Sequence, residues 1–337
     1  MFVIRQSFQN DIDQIVAVAH HLDTMNLPAD RRHIERIVAT SERSFSGDLD
    51  RVEREYLFVL EDTGARRVVG TSMIHAKHGT RRAPHVFFRV VHEERYSVTL
   101  DRYFVHQCLR IGYNYDGPTE IGGLILLPDY RGRPESLGKF LSYVRFLFIA
   151  MHRDVFQDQV LSELLPPLEP DGTSALWNSL GYHFTGLSYQ EADLLSKDNK
   201  EFIQALFPHE LIYTSMLPER ARSIIGQVGP AQRGVEKMLR RIGFEYAEQI
   251  DPFDGGPHFF ADTDQITLVD NAIRGRAATS PADDAPWGIV AVEGDTGFRA
   301  ACGRFSVTPG TDDVRIDDAT RAALGVDLGQ EVWWVAP

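Results

Sequence analysis

Only two cysteines, Cys108 and Cys302, occur in the 337 residues. Two thiols build neither a disulfide framework nor a thiolate metal cage. Long apolar runs are missing as well. None approaches the ~18 residues of a membrane-crossing helix, and Met1–Gln6 opens like a strand, without the basic-then-apolar plan of a secretory leader. A cytoplasmic enzyme with no membrane partner is expected. Basic charge is in short supply: 35 Lys and Arg stand against 48 Asp and Glu, for a net charge of −13. That balance disfavours nucleic acid and anionic membrane surfaces, which need a positive field. It suits a cationic small substrate, and a merely solubilising acidic surface explains it equally well. There is no Gly-x-Ser-x-Gly elbow. His20–His21 and the pair His75 and His78 lack ligand spacing on an assignable helix, so no metal is expected. Cys108, among Val105, Leu109 and Ile111, reads as a buried, inert thiol.

What the chain does contain is an ordinary soluble composition, 43% hydrophobic and 25% charged, with length enough for two domains. Phe2–Arg5 predicts a strand. Asp11–His21 predicts an amphipathic helix with Ile12, Ile15, Val16 and Val18 inward, and Ala29–Ser41 a second helix. Tyr56–Asp62 and Arg67–His75 flank Thr63–Gly64 as a hairpin, and His85–His92 is a further strand. The most informative stretch is Thr119–Ser142: a buried strand at Ile121–Leu127, a turn rich in Gly and Arg, and a helix from about Leu137. A turn with two arginines entering a helix N-terminus is a natural anion site, because free N–H groups and the helix dipole both point at the ligand. Gln159 begins another strand. Ser174–Leu180 is a short helix ended by Gly181, with Tyr182–Tyr189 extended after it. Residues 271–300 read as linker, and Val332–Val335 as a closing strand. Leu176–Phe184 and Met238–Tyr246 echo one another as apolar helix end, Gly, then aromatic strand. The echo suggests a degenerate second half-fold or a coincidence of a common unit. Two domains are expected, 1–205 and a smaller α/β domain at 206–337.

Chemistry that develops negative charge on an oxygen needs a donor to hold the oxyanion and a base to take a proton. Gly122–Gly123 permits a broken strand whose backbone N–H holds the oxyanion. Glu120 and Glu163 are the candidate catalytic carboxylates on central strands. Glu163 lies among Val160, Leu161, Leu164 and Leu165, where desolvation favours a base. Binding a guanidinium, or pairing with Arg145, stays open for it. Asp254–Pro257 is a tight turn needing no functional reading.

Several segments in order resemble the arginine N-succinyltransferase family: Ser44–Phe45, Tyr56–Asp62, Val69–Thr71, Val91–His92, Pro128–Arg131, and Leu141–Ser142 with Arg145–Ala150. Glu191–Asp193, Phe202–Ile203, Ile225–Val228, Gly243–Phe244 and Asp254–Pro257 continue the likeness to about residue 270. The resemblance implies a GNAT-like acyl-CoA N-acyltransferase fold, of α/β (α+β) class. That fold has a mixed, mostly antiparallel sheet flanked by helices, here with a C-terminal α/β extension. It implies succinyl transfer from succinyl-CoA, a co-substrate rather than a resident cofactor, to the α-amine of arginine, with homo- or hetero-oligomers as partners. The acyl-CoA would lie along Leu124, Ile125 and Leu126, its pyrophosphate over Arg131, Gly132, Arg133, Leu137, Gly138 and Lys139. His92 and Asn26 are expected to face the amine substrate. Two departures stand out. The family's Gly-Gln-Val-His-Pro motif, with its proposed proton-donor histidine, reads Gly226–Pro230 here with Gly229 in that place, and the pyrophosphate loop is longer, carrying Pro134 and Glu135. A related N-acyltransferase with another acyl-CoA or amine, or a non-catalytic partner subunit, is the alternative.

Overall fold

The computed structural model describes residues 1–21, 27–81, 83–196, 199–279, 284–294, 296–307 and 310–336. The chain divides into two compact units, neither of them continuous: Met1–Lys77 with Thr119–Asp158 and Asp262–Pro337, and His78–Pro118 with Gln159–Ala261. The expected boundary at 205/206 falls inside the second unit, and the C-terminal stretch is part of the first.

In the first unit β1 (Phe2–Gln6) is followed by α1 (Ile12–Ala19) and α2 (Arg31–Phe45), then by β2 (Glu55–Asp62) and β3 (Arg67–His75). α1 buries Ile12, Ile15, Val18 and Ala19; Val16, expected inward, is half-buried. α2 starts where the Asp30 side chain accepts from the His33 N–H at 2.8 Å. Its inner face carries Ser41 and Ser44 between the apolar residues, and their hydroxyls accept from Leu57 N at 2.9 Å and Glu55 N at 3.0 Å. Buried backbone donors of β2 are thereby satisfied by the helix above them.

β4 (His85–Ser97) and β5 (Arg102–Asn114) belong to the second unit; the first resumes with β6 (Thr119–Leu126) and α3 (Leu137–Met151). α3 buries eleven of its fifteen residues, Arg145 among them. An apolar surface all round is that of a helix packed on more than one side. Strands β7 (Gln159–Glu163), β8 (Ile212–Tyr213), β9 (Glu245–Ile250) and β10 (Pro257–Asp262) follow. The chain ends with β11 (Ile273–Thr279), β12 (Trp287–Gly294), β13 (Gly297–Arg304), β14 (Ser306–Val307), β15 (Asp313–Ile316) and β16 (Glu331–Val335). The strand order in the first unit is β14-β15-β11-β16-β12-β13-β1-β2-β3-β6. β11 and β15 run parallel, whereas the β1, β2, β3, β6 run is antiparallel. Most of 271–300 is therefore sheet and not linker. Its small residues pair tightly, Ala291 with Ala300 and Val290 with Ala301, over a core of Val290, Ala301, Phe305, Val314 and Val332.

In the second unit the order is β7-β10-β9-β4-β5-β8. The β4–β5 hairpin runs in unbroken register from His85 opposite Asn114 to Ser97 opposite Arg102. Its inner half buries Val86, Phe88, Val90, Leu109 and Ile111, and its outer half exposes Tyr96, Tyr103 and Phe104. The short helices Ala175–Ser179 and Gly181–Thr185 pack Trp177 on Phe253, with rings stacked at 4.9 Å. The stretch after Gly181, expected extended, is helical. A Cβ at 181 would stand 2.4 Å from the Trp177 ring, so glycine lets the chain fold back over the indole, whose Nε1 donates to the Leu187 carbonyl at 2.9 Å. After Gly243 the chain does form a strand, so the two echoing segments differ in structure.

Candidate active site

β6 is broken where the sequence places two glycines. Its register with β3 jumps between Thr71, opposite Ile125, and Met73, opposite Gly122, so that Gly123 and Leu124 face the single Ser72. Gly123 sits at φ +56°, and a Cβ there would be 2.7 Å from Met73 Cγ. Only glycine fits both demands. The carbonyls of the bulge are tied on both sides: the Thr71 hydroxyl donates to Gly123 O at 3.0 Å, and Arg145 Nη1 donates to Gly122 O at 3.3 Å. Arg145 also donates to the Ser142 carbonyl and hydroxyl, each at 3.0 Å. Burial brings its guanidinium down to about 9. Leu124 and Leu126 remain half-buried and offer side chains to a ligand, whereas Ile125 is buried in the core and offers only its backbone.

The strand runs into a pre-folded turn. Arg131 Nε returns to the Leu126 carbonyl at 2.9 Å, and Arg133 Nε donates to the Asp129 carbonyl at 3.3 Å. Gly132 at φ +69° and Ser136 at φ +56° bend the backbone into the left-handed region, and Ser136 makes no side-chain cap on α3. The first N–H groups of α3, from Leu137, Gly138 and Lys139, form its positive end, with Arg131, Arg133 and Lys139 around it. Arg133 lies over Tyr130 at 4.3 Å and Lys139 over Trp287 at 4.7 Å, so aromatic faces hold two of these cations in place. Gly138 is not a steric requirement, since a Cβ there would meet Leu126 at an ordinary 3.8 Å.

Glu120 is buried at the start of β6, opposite His75. His75 in turn lies 3.4 Å from Glu55. Burial alone would raise the Glu55 carboxyl, but the charge and hydrogen bond of His75 outweigh it and hold it below its ordinary value.

In the second unit Glu163 ends β7 and meets two buried histidines. His85 Nε2 and His258 Nε2 each stand 3.4 Å from the same Glu163 oxygen, Oε1. Their rings are 5.1 Å apart. Asp251 lies alongside, its Oδ1 accepting from Phe253 N at 2.7 Å and Asp254 N at 3.1 Å. Burial, and after it the charge of Glu163, pushes the Asp251 carboxyl up to about 7; burial and Asp251 push Asp254 up as well. Glu163 pairs here with imidazoles from β4 and β10. Arg145 itself donates to Ser142 and Gly122.

His92 is exposed on β4 opposite Gln107, an odd number of residues from His85 and roughly 23 Å farther along the strand. It belongs to the opposite face and not to the Glu163 cluster. Asn26 lies outside the described residues. Cys108 is a free, buried thiol that burial pushes up, and Cys302 is pushed up to about 12. His85, His258 and Asp251 carried no signal in the sequence, because three separate segments deliver them. Gly229 donates to the Leu165 carbonyl at 2.8 Å, and a Cβ there would stand 2.7 Å from the Pro166 carbonyl oxygen. A side chain at 229 therefore requires the backbone after β7 to move.

Residues 2–268 match the arginine N-succinyltransferase beta subunit family, and residues 273–336 match the C-terminal domain of that subunit. The chain belongs to the arginine N-succinyltransferase family. It is 33% identical to the arginine N-succinyltransferase of Photorhabdus laumondii, over 98% of this chain and 97% of that one. With the beta subunit of the Pseudomonas aeruginosa enzyme it shares 34% identity, over 84% and 83% of the two chains. The solved arginine/ornithine succinyltransferase subunit AI of the same organism superposes with a TM-score of 0.86 at 28% identity, covering 100% of this chain and 98% of that one. The mixed, mostly antiparallel acyltransferase fold expected of the family is the one this chain has, and the chain is an enzyme of the N-acyltransferase class. The family match to the C-terminal domain extends the likeness past residue 270, where the motifs ended.

Proposed function

We propose that this protein transfers the succinyl group of succinyl-CoA to the α-amine of arginine. The observation that carries the reading is the bulged, doubly anchored β6 leading directly into the turn of Arg131, Arg133 and Lys139. A bulge leaves a backbone N–H unpaired by the neighbouring strand, which suits it to hold a thioester carbonyl as negative charge develops on it. The pantetheine arm would lie along Leu124 and Leu126 and the pyrophosphate over the start of α3. Glu163, and as second candidate Glu120, takes the proton that the α-ammonium must lose before attack; the neutral amine bonds to the thioester carbon, the tetrahedral intermediate collapses with rupture of the C–S bond, and the proton shed by the new amide nitrogen leaves on the CoA thiol. Resident cofactor chemistry plays no part in the scheme.

Ornithine is the second amine to test, because the solved relative is an arginine/ornithine succinyltransferase subunit. A cytoplasmic location, where acyl-CoA and free arginine meet, and assembly with further copies or a second subunit belong to the same proposal. No helix among the described residues is long and apolar enough to cross a membrane. The deciding experiment follows thiol release from succinyl-CoA with arginine, with ornithine and without amine. Arginine-dependent release, lowered by Glu163→Gln, is the expected result. CoA binding without turnover on either amine would instead make this a non-catalytic subunit, and failure to bind CoA would remove the acyltransferase reading altogether.

A further inference from the structure

His85 and His258, from strands far apart in sequence, each approach the same carboxylate oxygen of Glu163 on a third strand. A tetrahedral zinc ion with nitrogen and oxygen ligands at 2.0–2.1 Å has ligand–ligand edges of about 3.4 Å. Both imidazole Nε2 atoms stand 3.4 Å from Glu163 Oε1. A donor atom of Asp251 lies within 4.8 Å of those of Glu163 and His258, and His78 is in the same reach of His85 and Glu163. We propose that this cluster is a divalent transition-metal site, with Glu163, Asp251 and His258 as its core ligands; His85, 3.4 Å from the same Glu163 oxygen, joins as the fourth by a shift of its ring.

Three further features fit a cation there. The histidines are buried to 1% and 0% exposure, and Asp251 and Asp254 are buried beside Glu163, so the pocket gathers imidazole nitrogens and carboxyl oxygens away from water, where a cation would satisfy them together. The arm bearing His78 is preset: Gly79 at φ +98° packs so closely that a Cβ would touch Asn114 O at 2.6 Å, and one at Gly117 would overlap His78 O. The donors are imidazole nitrogen and carboxylate oxygen without sulfur. Such a set suits zinc, cobalt(II) or nickel better than magnesium or calcium, which prefer oxygen alone. Sequence spacing could not reveal the site, because no two of the core ligands share an element. Binding engages Glu163 Oε1, so a bound ion and acceptance of an amine proton by Glu163 exclude each other, and zinc acts as a reversible inhibitor.

The site is defined and read without substrate, so its test stands apart from the acyltransferase assay. The full chain, stripped with chelator and dialysed, is titrated with Zn2+ by calorimetry, and with Co2+ for the visible absorption of four-coordinate cobalt. One ion per chain is expected, with a tetrahedral cobalt spectrum. His85→Ala/His258→Ala and Glu163→Gln should each weaken binding at least about tenfold, while His92→Ala on the opposite face of β4 should bind as the parent does. His258→Gln gives a gentler variant should the double substitution not fold, as judged by circular dichroism. Absence of stoichiometric uptake by the parent protein, or uptake unchanged in Glu163→Gln and His258→Gln, would overturn the site. Zinc that binds yet leaves turnover untouched would overturn the competition with Glu163.

Discussion

Arg145 makes its hydrogen bonds to neutral oxygens: the Ser142 carbonyl and hydroxyl and the Gly122 carbonyl. A fully buried guanidinium without a carboxylate is costly, and what it gains is a fixed bulge carbonyl in β6. Arg145→Met is therefore expected to keep or raise the melting temperature while lowering kcat about tenfold or more, since small misplacements of a reacting geometry are that expensive. Arg145→Lys should restore only part of the rate, and a kcat unchanged in both variants would remove the positioning role. Asp251 gives a pH signature. Its folded carboxyl, at about 7, lies above the ordinary aspartate value of 3.8, so between the two the folded state binds a proton that the unfolded state has released. That contribution is present below pH 4 and is lost as pH rises toward 7. Asp251→Asn keeps the Oδ1 acceptor for Phe253 and Asp254, so with chelator present its stability relative to the parent should rise by at least about 1 kcal/mol between pH 5 and pH 8 in denaturant melts. A difference that does not vary with pH would contradict the assignment.

At the scale of elements, β6 and α3 were legible because each obeys a local rule: a short apolar strand with paired glycines, then a helical apolar repeat. Gly123→Ala tests the bulge directly. A positive φ and the contact with Met73 together should cost about 2–4 kcal/mol, and acyl transfer should fall further than the loss of folded protein explains. Removing all three cations of the turn, Arg131, Arg133 and Lys139, should weaken CoA but leave pantetheine-length thioesters nearly unaffected in competition binding. Equal loss for both would place the phosphates elsewhere. Other elements were not legible, for physical reasons. Tyr182–Tyr189 has strand-like aromatics, yet Gly181 turns it over Trp177 into a helix. Residues 271–300 look like linker because alanine and glycine carry little strand preference; their strands exist through partners such as Ala300 and Ala301. The Glu163 cluster was half visible: the carboxylate in an apolar strand could be read, but not the histidines brought to it from β4 and β10.

At the scale of the whole molecule, the family was legible in an ordered series of short motifs, but the division into units was not, because each unit is stitched from separated stretches. That stitching has a consequence for synthesis. β1 lies between β2 and β13, with Val3 opposite both Glu61 and Ala301. Until residue 301 leaves the ribosome, one edge of β1 is an open template bearing Val3 and Ile4. The second unit has all its residues by Ala261. Pairing across about 300 residues is also slow, because the loop must close before the contact rewards it. The nascent chain should therefore gain protease resistance in the middle of its sequence before its beginning, and chaperone contacts should concentrate on the earliest strand made, which is among the last to find its second neighbour.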